Sequence, residues 1–170
     1  TGLARDTLIV YSTDHGDQLG ERGLWWKHTL YEDSVRVPLL VRWDGVVPAG
    51  ERRTQVVDLA DVAATMAAAM GGPPLPYSHG RDLLPVARDA RASWHDEVFA
   101  EHCTDVVPAW TGGVSVQQRM VRSGPWKLIV SHGYPPQLFD LAHDPHERRD
   151  LAADPQQLGH VAYQIGRAHV

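Results

Sequence analysis

A single cysteine, Cys103, stands among the 170 residues, so no intrachain disulfide can staple the fold, and the chain reads as one kept in a reducing, cytoplasmic setting. Long apolar runs are missing too. No stretch reaches the ~20 apolar residues that a bilayer-spanning helix needs, and no signal peptide opens the chain at Thr1, so no membrane partner is expected. Neither sign of charge dominates: the net charge is −5 and the pI about 6.0, with acids and bases interspersed. That balance argues against a nucleic-acid partner and a basic membrane-binding helix. The 43% of residues that are hydrophobic are enough to build a core.

The stretch from Asp6 to Gly16 organises the chain. Leu8, Ile9 and Val10 lie between Thr7 and Tyr11 with little polar alternation, the pattern of a parallel strand covered on both faces. The run ends in Asp14, His15 and Gly16, and in open α/β sheets the carboxyl ends of such strands carry ligand sites. A carboxylate beside an imidazole suits a divalent cation. Taken alone, the tripeptide reads more readily as a turn capped by Asp14 than as a metal site.

The next twenty residues are more specific. Gly20-Glu21-Arg22-Gly23-Leu24-Trp25-Trp26-Lys27 is glycine-punctuated and then aromatic, and Tyr31-Glu32 and Arg36-Val37-Pro38 come after it. This order resembles the sulfatase family of the alkaline-phosphatase-like superfamily, and its wording is most similar to the choline-sulfatase branch. The resemblance covers roughly residues 1 to 160. It implies that Asp14 and His15 hold the divalent metal, commonly calcium, although an Asp-His pair would also accept manganese or zinc. It implies that Lys27 holds a sulfate oxygen, where a cation offsets charge on the sulfuryl group. His28 is a weaker candidate for protonating the leaving group.

The family's nucleophile is a formylglycine made in a Cys/Ser-x-Pro-x-Arg motif. Cys103, in Glu101-His102-Cys103-Thr104-Asp105, has neither the proline nor the arginine. The chain therefore reads as the C-terminal part of a longer sulfatase, with the formylglycine supplied by the missing N-terminal part and no turnover expected from these residues alone. The implied fold class is α/β, with the C-terminal part of a mixed or parallel main sheet in residues 1–76. A small antiparallel α+β subdomain occupies 77–164. Ile165–Val170 fits no continuation of the pattern and reads as a translated sequencing adapter, an artefactual tail.

Local signals fill in the rest. Val37–Trp43 is a second strand, and Arg36 is placed to pair with Glu32. Asp58 is an N-cap with Asp61 three residues on, and Leu59, Val62, Met66 and Met70 share one helical face expected to be core. Gly71-Gly72-Pro73-Pro74 stops that helix, and His79–Pro85 is expected to pack the adjoining segment on the main sheet. Segments 97–101, 118–122, 126–130 and 137–141 form a four-stranded antiparallel sheet, with a hairpin at Ser123-Gly124-Pro125. A terminal helix runs from about Asp154 to Tyr163. Glu101, with Trp25, Trp26 and Trp110 as aromatic candidates, is placed to balance a quaternary ammonium, against the plainer reading of a solvated glutamate and space-filling tryptophans.

Three functions stay open. The first is hydrolysis of a small-molecule sulfate ester such as choline sulfate. The second is hydrolysis of phosphonate monoesters or phosphodiesters within the same superfamily, and the third is a non-catalytic role in binding or assembly. Self-association into a homo-oligomer is compatible with each.

Overall fold

The computed structural model describes residues 2–103 and 117–168, and it divides into two compact units. The first comprises residues 1–14 and 37–96; the second comprises 15–36 and 97–170. The Gly-Pro stretch near residue 76 lies inside the first unit.

In the first unit, β1 (Ile9–Tyr11) pairs with β4 (Leu40–Arg42), with Val10 opposite Val41. The pairing is antiparallel, which corrects the expectation of a buried parallel strand. Ile9, Tyr11 and Leu40 are exposed. An apolar run carries no information about strand direction, and in these residues its alternate side chains have no cover.

The helix α2 (Leu59–Ala69) starts where the sequence says. Asp58 accepts from the Ala60 and Asp61 N–H groups, and the Asp61 carboxylate accepts from the Asp58 N–H, a reciprocal cap. Gly71, at φ 71°, ends it, with the Gly71 and Gly72 N–H groups donating to Ala68 and Ala67 carbonyls. The buried face is another matter. Met66 and Met70 are exposed, Met70 by 80%, while Asp61 and Thr65 are buried. The reason is backbone satisfaction. Asp61 Oδ1 accepts the Arg81 N–H at 2.8 Å, and Thr65 Oγ1 accepts the Leu83 N–H at 2.8 Å while donating to the Asp61 carbonyl at 2.6 Å. Residues His79–Pro85 thus pack on α2, delivering buried Leu83 and Leu84 at the start of α3 (Leu84–Arg88).

In the second unit, β5 (Glu97–Cys103), β6 (Gln117–Ser123), β7 (Trp126–Ser131) and β8 (Gln137–Asp140) form one antiparallel sheet in sequential order. Gly124 and Pro125 close the tight β6–β7 hairpin, with Ser123 opposite Trp126. Val121, Leu128 and Leu138 are buried beneath α4 (Leu158–Ala168), whose Val161 completes the cluster. Asp154 caps the preceding turn by accepting the Gln156 N–H at 2.9 Å. The helix continues into the segment read as a tail, and Ile165 lies against the same core. Among the described residues no helix is long and apolar enough to cross a membrane.

Candidate functional site

Residues His15–Arg36 belong to the second unit and carry most of the candidate chemistry. Within them β2 (Gln18–Leu19) pairs antiparallel with β3 (Trp25–Trp26), and α1 (Glu32–Val35) comes next. Gln18 is fully buried and donates toward Thr29 Oγ1 at 3.3 Å, while Thr29 and Ser34 hydroxyls meet at 3.0 Å. The Gly16 N–H donates to the Ser34 carbonyl at 2.8 Å. Gly16 is required for this close approach, since a Cβ there would stand 2.1 Å from the Asp33 carbonyl oxygen. The turn's need for glycine is thus steric rather than a matter of a left-handed φ.

Gly16→Ala must push α1 away from His15. The expected cost is about 1–3 kcal/mol, in the range of overpacked sites, read as a shift in denaturation midpoint. An unchanged midpoint would contradict the close approach.

Two of the expected site residues come together. The Lys27 ammonium lies 2.6 Å from His15 Nε2, and His15 Nδ1 lies 2.8 Å from its neighbour Gly16's carbonyl oxygen. A carbonyl only accepts, so Nδ1 carries the proton and Nε2 presents its lone pair to Lys27. Trp26, just before Lys27, takes φ 67°, a left-handed conformation uncommon for a bulky residue. Such outliers persist where the surroundings over-determine them. Asp14 closes the first segment of the first unit, exposed, and accepts from the Thr13 hydroxyl at 3.2 Å.

His28 is exposed and its ring stands 5.8 Å from that of half-buried His102. Burial, and then the neighbouring His28, push the His102 imidazole below its ordinary value. Glu101 is exposed and pairs with Arg119 at 2.9 Å across β5 and β6, so its charge already has a counter-ion, though a weak exposed one. Trp110 lies outside the described residues. Trp25 and Trp26 are both more than half exposed, and Cys103 is an exposed thiol.

The sequence offered no hint of what lies beneath the loop. Lys127, on β7, is fully buried, with its ammonium 2.9 Å from Glu32 Oε1 and 2.8 Å from Glu147 Oε1. Glu32 is therefore not paired with Arg36, as its spacing suggested; its second oxygen faces Arg122 at 3.2 Å. Arg36 meets Glu32 through its backbone N–H. Glu147 Oε2 accepts the Glu32 N–H at 2.7 Å, and Arg22 stands 3.7 Å from the same oxygen. Arg22 also reaches Asp33 at 3.1 Å and the His146 carbonyl, and its guanidinium covers the Tyr31 ring at 4.1 Å. The Tyr31 hydroxyl donates to Gln137 Oε1 on β8 at 3.0 Å.

As metal donors, the exposed Asp14 carboxylate and the unprotonated His15 Nε2 are of the right kind for a divalent cation. Among the described residues no group of three or more His, Cys, Asp or Glu gathers to hold one.

Comparison with known proteins places these features in a family. Residues 20–166 match the family described as N-sulphoglucosamine sulphohydrolase, C-terminal. A choline-sulfatase of Rhizobium meliloti is 35% identical over 159 residues, covering 92% of this chain and 29% of the relative. The chain thus spans under a third of that protein. A structure solved in complex with its substrate D-glucosamine-2-N,6-O-disulfate superposes with TM-score 0.87 at 22% identity, over 99% of this chain and 34% of the other. A phosphonate monoester hydrolase of Silicibacter pomeroyi superposes with TM-score 0.80 at 27% identity, over 96% and 34%. The family match takes in Lys27, the buried residues beneath its loop and all four strands of the sheet: the chain belongs to the sulfatase family and carries part of its alkaline-phosphatase-like fold.

Proposed function

We propose that the complete protein is a sulfuric ester hydrolase acting on a small sulfate monoester, with choline sulfate as the leading candidate. In this reading Asp14 and His15 hold a divalent cation, calcium or manganese, and Lys27 binds a sulfate oxygen. The observation that supports it is the direct contact of the Lys27 ammonium with His15 Nε2, 2.6 Å apart, which brings two of the expected site side chains together. The cation, when bound, supplies charge neutralisation at the sulfuryl oxygens. With the cation on Nε2 in place of the Lys27 N–H, the Lys27 N–H groups are released to donate to non-bridging sulfate oxygens, where negative charge must be held during transfer. Nδ1–H to the Gly16 carbonyl fixes the imidazole tautomer and the ring's orientation. The imidazole favours manganese over calcium, which prefers all-oxygen sets. The nucleophile is not among these residues, and formylglycine from a Cys/Ser-x-Pro-x-Arg motif elsewhere in the complete protein is its expected source.

The choline preference rests on the 35% identity to a choline-sulfatase. Glu101 remains the candidate partner for the quaternary ammonium, at the expense of its bond to Arg119. A second reading, phosphonate monoester hydrolysis, is favoured by the likeness to the Silicibacter pomeroyi enzyme. Assay of the complete protein on choline sulfate and on an aryl phosphonate separates them. Turnover of choline sulfate supports the proposal, and preferential phosphonate cleavage overturns it for the second reading. Turnover of neither leaves a binding or assembly role.

A further inference from the structure

The geometry points to Glu32, Lys127 and Glu147 as positioning residues for His15 and Lys27, an inference that rests on the catalytic reading of those two side chains. All three are buried, and they tie the start of α1 to the beginning of β7 and to the loop after β8. Two routes lead from them to the site. Through Glu32 and α1, the Ser34 carbonyl receives the Gly16 N–H at 2.8 Å, directly beside His15. Through Glu147, Arg22 is held in the turn between β2 and β3, and β3 ends at Trp26, the residue before Lys27.

The chemistry favours a directional role. A buried lysine between two carboxylates is a poor way to gain stability, because desolvation consumes much of the Coulombic attraction, and apolar replacements of such groups are often neutral or stabilising. An ion triad does fix distances and angles that apolar contacts leave loose. Glu147 itself takes φ 51°, a left-handed backbone that a glutamate adopts only when its surroundings require it. That conformation delivers one carboxylate to Lys127 and to the Glu32 N–H at once.

The test is Glu147→Gln in the complete protein, which keeps an oxygen for the Glu32 N–H and removes the charge facing Lys127. Hydrogen exchange at the Gly16, Val35 and Arg36 amides is expected to rise about tenfold or more while the amides of β6 and β7 keep their protection. On the sulfate ester, kcat is expected to fall about 10- to 100-fold at a temperature where the variant is fully folded. In a Lys27→Ala background the same substitution should lower kcat clearly less than it does in the wild type, since one of the two groups it positions is gone. A purely structural role would lower the melting temperature and leave both readouts at wild-type values; that result, or full additivity with Lys27→Ala, overturns the inference. If the complete protein hydrolyses no ester, the catalytic reading fails and the exchange pattern alone decides whether the triad holds the loop. Should Glu147→Gln fail to fold, Arg22→Ala cuts the same link from its solvent side and is read in the same ways.

Discussion

Lys127→Met is expected to remove about 3–5 kcal/mol of stability from the complete protein, the range for breaking a buried ion pair from one side. The loss comes less from the missing attraction than from the charge left behind. Glu32 keeps Arg122 at 3.2 Å, but Glu147, whose side chain is fully buried, would have Arg22 at 3.7 Å as its remaining cation among the described residues. A carboxylate so placed must be neutralised or hydrated, and either route opens the packing between α1 and β7. Denaturant unfolding reads the effect directly, and a change below about 1 kcal/mol would mean that the triad is not held together as described. Adding Glu147→Leu to Lys127→Met should recover part of the loss, because the second change removes the stranded charge.

Lys27→Ala is expected to lower kcat on a sulfate ester by about 10²- to 10³-fold, the usual effect of deleting one donor to a developing oxyanion. Stability should hardly move, since Lys27 is exposed and its close partner among the described residues is His15. Lys27→Arg should restore only part of the rate, because a planar fork cannot occupy the position of a compact ammonium. A loss under threefold for the alanine variant, in a protein that does turn over sulfate esters, would remove Lys27 from the site.

How far the sequence revealed all this depended on whether the signal was local. The α2 cap needs only Asp58 and Asp61, and the β6–β7 hairpin only its turn, so both were legible. The four strands of the sheet announced themselves by length and turn spacing. The buried face of α2 did not, because periodicity credits Met66 and Met70 for being apolar and cannot know that Asp61 and Thr65 are needed by the Arg81 and Leu83 N–H groups. The same blindness made β1 look parallel and covered. Among the candidate site residues, the order of motifs picked out His15 and Lys27, which the structure brings into contact, whereas the triad beneath them draws one residue each from three separate segments. Lys127 even sits in the apolar run Trp126–Val130, where it reads as a solvent-facing alternate. Only its partners explain its burial.

The boundaries between the two units have a consequence for recombination. The chain passes from one unit to the other after residues 14, 36 and 96, so the second unit is discontinuous in sequence. Exchanging residues 97–168 between relatives as a cassette would transplant Lys127 and Glu147 without their Glu32. A chimera that respects the interactions must carry residues 15–36 along with the sheet, so the heritable block is two segments wide.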